Sequence, residues 1–111
     1  MDRSKQPIQF PDEEEIPSTE EPWISTNKIL IRQIGLLPAV YYSYLLSKRF
    51  YFKQQRELID DGSFHITDKK QSQDLMLGID KISSLRKNLI SLKLISTKRL
   101  GIPARLYYKI L

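Results

Sequence analysis

The chain has 111 residues, 41% of them apolar, which suits one domain with a modest core. With no cysteine and a single histidine it has no disulfide framework, no thiolate zinc site and no cysteine nucleophile, and little for metal chemistry. The net charge of +5 is uneven: residues 1–24 hold two cations against seven acids, net −5, while residues 25–111 hold sixteen against six, net +10. No apolar run approaches the ~20 residues of a membrane span, and no basic-then-apolar leader opens the chain. These features point to a cytoplasmic protein whose basic part meets nucleic acid, as a nucleoid-associated protein does. The plain alternative is a basic solvated surface.

Residues 1–24 read as a disordered acidic tail. Pro7, Pro11, Pro17 and Pro22 remove backbone donors, and the run Asp12-Glu13-Glu14-Glu15 repels itself. Within it, Gln6-Pro7-Ile8-Gln9-Phe10 is weakly similar to a peptide that docks on the replicative sliding clamp, with Gln9 where that pattern wants an aliphatic residue. The folded domain is expected over 25–111. Ser25-Thr26-Asn27 is a helix-start cluster, so 28–34 is expected as a short helix closed by Gly35, with a strand over Ile29-Leu30-Ile31 as the alternative. Pro38 suits the first position of a long helix running to about Arg56 or Leu58. Its apolar face is expected to carry Ala39, Tyr42, Leu45, Leu46, Phe50 and Phe52.

Asp61-Gly62 is a turn signal, and Ser63-Phe64-His65-Ile66 alternates as a short strand does. Thr67 is a good N-cap for a helix over 68–77, with Asp68 favourable in its first turn and Gly78 as its stop. Asp80 can cap a second helix running to about Leu92. Its Ile82, Leu85, Leu89 and Leu92 share one face, and Lys81, Ser83, Ser84, Lys87, Asn88 and Ser91 lie on the other. Residues 94–99 and 104–111 are β-like runs around Leu100-Gly101-Ile102-Pro103, hence a hairpin.

A helix, a turn with Gly, a second helix and a β-hairpin follow in the order of a winged helix-turn-helix. The expected fold is therefore mainly α with a small β-hairpin wing. In such an arrangement the second helix enters the major groove of double-stranded DNA. The serines allow close approach, Lys87 can reach guanine or phosphate, and Asn88 can pair with an adenine edge. Lys98, Arg99 and Arg105 of the hairpin meet phosphate or a minor groove. The candidate DNA-binding set is Thr67, Lys81, Ser83, Ser84, Lys87, Asn88, Lys98, Arg99 and Arg105.

From about Gly35 to Ile110 the chain resembles the winged-helix domains of phage and plasmid DNA-binding proteins. The similarity is to replication-initiator and replisome-organiser proteins of low-GC Gram-positive bacteria. The matching pieces are Ile34-Gly35-Leu36-Leu37-Pro38-Ala39, Asp61-Gly62-Ser63-Phe64-His65-Ile66-Thr67, and Leu89-Ile90-Ser91-Leu92-Lys93-Leu94-Ile95 with Gly101 to Ile110. Winged helices usually carry Gly where Lys93 stands, so the turn into the wing is expected to differ. The resemblance implies duplex DNA as partner, in transcription regulation or DNA replication; the residues themselves offer no candidate for catalysis or metal binding and no membrane span, and no cofactor or small-molecule substrate is expected.

Other residues admit two readings. His65 lies in an alternating strand, which fits a half-buried role better than catalysis, and Asp60-Asp61 before Gly fits a turn better than an acid pair. Tyr41, Tyr42, Tyr44 and Tyr51 fit a core, a homodimer face or a stacking platform for bases. Lys48, Arg49, Lys53 and Arg56 fit a solvated face or a second phosphate-contacting patch. The competing function is a protein-interaction winged helix, whose mark would be apolar residues on the exposed face of the second helix.

Overall fold

The computed structural model describes residues 23–111. The expectations for the acidic tail and the clamp-like peptide therefore fall almost wholly outside the described residues. The first helix, α1 (Lys28–Ile34), starts where Asn27 Oδ1 accepts the Ile29 N–H at 2.7 Å, and the strand alternative is overturned. Gly35 both ends α1 and opens α2 (Leu36–Gln54). Its φ of 95° suits a residue without a side chain, and its carbonyl accepts the Ala39 N–H. Pro38 is thus the third residue of α2 rather than the first. It is tolerated because the first turn's N–H groups have no intrahelical partner.

α2 ends four residues before Leu58. Arg56 takes a left-handed φ of 58°, while its N–H donates to Lys53 O and that of Glu57 to Phe52 O. This is the paired-carbonyl closure of a Schellman turn. Of the face expected for α2, Ala39 and Leu45 are buried and Tyr42 and Phe52 pack against the core, but Leu46 and Phe50 are exposed, and Tyr41 and Tyr44 enter the core as well. The polar ends of two tyrosines are satisfied inside the fold, so their rings can be buried.

The Asp61-Gly62 turn forms as expected, with Asp61 Oδ1 accepting the Ser63 N–H at 3.0 Å and Gly62 at φ 83°. It leads into β1 (Phe64–His65) and then α3 (Asp68–Leu75), where Thr67 Oγ1 accepts the Lys70 N–H at 3.1 Å. α3 stops earlier than expected. Met76 takes the left-handed conformation, φ 54° and ψ 41°, although Gly78 lies two residues on. The reason is packing: Leu75 and Leu77 both rest on the core, so the chain must reverse between them. A non-glycine residue there costs roughly 1–2 kcal/mol.

Gly78 is instead the N-cap of α4 (Ile79–Ser91), and Asp80, expected as the cap, sits within the first turn. Ile82, Leu85 and Leu89 are buried as expected, but Leu92 is exposed because α4 ends before it. Lys93 at φ 60° donates its N–H to Ile90 O, and Leu94 donates to Leu89 O. Lys93 therefore adopts the conformation that glycine usually supplies, and the turn into the wing keeps its Schellman geometry.

The wing is β2 (Ile95–Leu100) and β3 (Arg105–Ile110), paired antiparallel. β1 joins the far edge of β3, giving a three-stranded sheet of order β1-β3-β2. Phe64, Tyr108 and Ile95 turn one sheet face onto α2 and α4, and the core sits between these layers. Four helices with this small antiparallel sheet make a mainly α, winged-helix-like fold.

Candidate nucleic-acid interface

α4 presents two unlike sides. Its inner side is the apolar row Ile82, Leu85 and Leu89. At about 100° per residue, the outward side is centred on Asp80, Ser84, Lys87 and Ser91, all exposed. Lys81 and Asn88 flank this row, one above the other, and are also exposed, while Ser83 is half-buried. Five of the nine sequence candidates therefore lie on one helix, four of them exposed. Exposed Ile79 and Ile90 line the opposite flank.

Arg86 leaves that outward side for the protein. Its Nη1 donates to Asp68 Oδ1 at 2.7 Å and to the Tyr108 hydroxyl at 2.8 Å. The Tyr108 hydroxyl also accepts from Gln71 Nε2 at 2.9 Å, and Gln71 Oε1 accepts the Tyr41 hydroxyl at 2.6 Å. This chain of side chains ties α2, α3, α4 and β3 together through the buried middle of the domain. Burial opposes the charge on Arg86, but the Asp68 carboxylate and the tyrosine hydroxyl hold its pKa above the usual value. Burial raises the Tyr41 hydroxyl pKa, with Tyr108 adding to the shift, so Tyr41 stays a neutral donor.

A second polar cluster braces α3 on α2. Asp74 accepts the Tyr44 hydroxyl at 2.7 Å and pairs with Lys48 at 3.3 Å and Lys70 at 3.0 Å. Burial works against its charge, yet the Tyr44 hydroxyl, Lys70 and Lys48 together keep its carboxyl below the ordinary range. The stacking-platform reading thus fails for Tyr41 and Tyr44, whose rings are core. Lys48 likewise belongs to the fold and not to a surface patch, while Arg49, Lys53 and Arg56 are exposed.

The sheet register divides the wing cations. Arg99 pairs with Leu106 and shares the helix-side face with Tyr108 and Ile95. Lys98 and Arg105 fall on the outer face, since alternate residues point to opposite sides. All three are exposed, but Lys98 is paired with Asp61. That pair, with the Ser63 contacts, holds the Asp61 carboxyl well below the usual range. Thr67 is exposed and its hydroxyl is engaged as the α3 cap. His65 makes a structural contact, its Nδ1–H donating to Leu106 O at 2.8 Å. Among the described residues no group of three or more His, Asp or Glu side chains gathers to hold a metal. None of their helices is long and apolar enough to cross a membrane.

The residues that sequence reasoning passed over are Gln71 and Arg86. A polar residue in the middle of a helix gives no local sign that its partners lie 22 and 37 positions away. No family model matches the chain, and comparison with curated proteins gives no match. A solved structure named N-terminal domain of DNA binding protein superposes with a TM-score of 0.64 at 16% identity, covering 95% of this chain and 84% of that chain. At that identity the likeness is one of fold.

Proposed function

We propose that this domain binds double-stranded DNA without chemistry, α4 entering the major groove and the wing meeting the backbone. The observation that carries the reading is the outward side of α4. There Lys81, Ser84, Lys87 and Asn88 are exposed together on a helix whose inner side is locked into the core. Small serines let the helix sit close to base edges, Lys87 and Asn88 supply donors for guanine and adenine, and Lys81 and Arg99 meet phosphate. Ser83 lies at the margin of this surface. The Gly78 cap adds no side-chain acceptor to the first turn, in which Asp80 is the one acid. Arg105 and Lys98 extend the basic surface along the wing, Lys98 after release from Asp61, and Thr67 borders it at the start of α3. The DNA-binding protein whose domain shares this fold supports the reading. Its setting, in our reading, is a phage or plasmid protein acting in transcription regulation or replication initiation.

Salt titration of binding tests this. A domain that neutralises several phosphates should lose affinity with a log–log slope of roughly −4 to −7. Absence of duplex binding at low salt would overturn the reading. It would favour a protein partner, for which the exposed Ile79 and Ile90 beside the same face are the supporting observation.

A further inference from the structure

The outer face of the sheet, away from the helices, is a second surface with its own chemistry. On β3 it carries Arg105, Tyr107 and Lys109 in alternation, and the Tyr107 ring lies against His65 of β1 at 5.6 Å between centroids. No strand of the sheet contains a carboxylate. Asp61, which reaches this face from the turn before β1, is taken up by Lys98. Arg105 and Lys109 make no ion pair among the described residues. Between the ring and the wing tip lies a hollow of about 260 Å³ lined by Leu100, Gly101, Ile102, Pro103, Arg105 and Tyr107. Its lining combines the Tyr107 ring and the side chains of the wing tip with the Arg105 guanidinium and polar backbone, and it is open to solvent. It is smaller than the ~300–1,000 Å³ pockets that enclose whole drug-sized ligands, and suits a single flat ring.

We propose that this face binds single-stranded DNA, with one unpaired base in the hollow beside Tyr107 and the neighbouring phosphates on Arg105 and Lys109. Arg105 rims the hollow and Lys109 lies beyond Tyr107, four residues or roughly 13 Å along the strand, so the two cations meet phosphates about two nucleotide steps apart. A ring between cations is the arrangement that stacks a base while neutralising its phosphates. A duplex keeps its bases inside and offers nothing for the hollow. An acidic peptide would use the cations and leave the Tyr107 ring and the hollow beside it idle. The proposal rests on the DNA-binding reading above and shares Arg105 with it, but it adds Tyr107 and Lys109, which that reading leaves out and on which the test turns.

The test is fluorescence anisotropy of the full chain with labelled oligothymidine and, separately, a labelled mixed-sequence duplex at low salt. Oligothymidine should bind. Tyr107→Leu should weaken it by at least about five-fold, while Tyr107→Phe, which keeps the ring, should retain it. Lys109→Gln, at a half-buried position, should weaken oligothymidine and spare the duplex, with the retained duplex affinity reporting that the fold is intact. Lys87→Ala should do the reverse. Duplex binding without oligothymidine binding overturns this proposal alone, and failure of both probes overturns the reading beneath it as well. Oligothymidine binding that Lys109→Gln and Tyr107→Leu leave unchanged, or that Lys87→Ala weakens equally, also overturns it. Displacement by oligoglutamate as effectively as by unlabelled oligothymidine overturns it in favour of an acidic protein partner.

Discussion

Arg86 and Lys87 are neighbours on α4 and sit in opposite physical settings. Arg86 has its guanidinium between Asp68 of α3 and Tyr108 of β3, with 13% of its side chain exposed. Lys87 stands on the outward side, exposed to solvent. A cation that has lost its water needs fixed partners, and those partners then fix the helix that carries it. A cation still in water costs nothing to keep unpaired and remains available to a phosphate or a base. The inner and outer sides of α4 thus divide the work, one setting the helix angle and the other presenting the contacts.

The largest effect should come from breaking the inner side. Arg86→Ala leaves Asp68 and the Tyr108 hydroxyl without their shared donor, and should lower stability by about 2–3 kcal/mol in denaturant unfolding. A stability loss no larger than that of an ordinary surface change would show that the network does not hold the helices together. On the outer side, Lys87→Ala and Asn88→Ala should cost about 1–3 kcal/mol of affinity at a preferred duplex site and relax its sequence preference. Their unfolding midpoints should barely move, since neither side chain is buried. Loss of folding in these two variants would erase the distinction between the sides of α4.

Arg99→Ala in the wing should weaken all duplex sequences evenly and make the salt slope shallower by about one unit. Unchanged slope in that titration would remove Arg99 from the phosphate contacts. The smallest effect is one of pH. Asp74 has a depressed folded-state pKa, so its contribution is fully present above the unfolded value of about 3.9 and is lost as pH falls through the lower folded value. Thermal melts should therefore show Asp74→Asn losing less stability than the parent protein on acidification below about pH 4. Parallel losses would assign the acid sensitivity elsewhere.

Much of the frame is legible locally. Asn27, Thr67 and the Asp61-Gly62 turn act through bonds spanning two or three residues, so their roles can be read from the chain alone. The row Ile82, Leu85 and Leu89 follows from helical spacing. The buried face of α2 is legible only in part: Ala39 and Leu45 are buried as helical spacing predicts, but its tyrosines look amphipathic. Only the positions of Gln71 and Asp74 on α3 decide that Tyr41 and Tyr44 go inside while Leu46 and Phe50 stay out. The helix ends moved for a similar reason. Met76 and Lys93 accept left-handed backbone, and the leucines that follow them, Leu77 and Leu94, pack on the core.

The candidate interface divides along the same line. That Lys81, Ser84, Lys87 and Asn88 share an exposed helical surface follows from the period of the helix and the apolar row behind it. That Lys98 is tied to Asp61, that Arg99 and Arg105 lie on opposite sheet faces, and that Arg86 serves the interior depends on pairs 37, 22 and 18 residues apart and on a strand register. By itself the sequence determined the order of elements, the caps at Asn27 and Thr67, the Asp61-Gly62 turn and the basic charge of the domain, because these depend on neighbours within a few residues. The tertiary structure alone decided which polar side chains remain available to a partner, because a charge is free or engaged according to what the fold brings beside it.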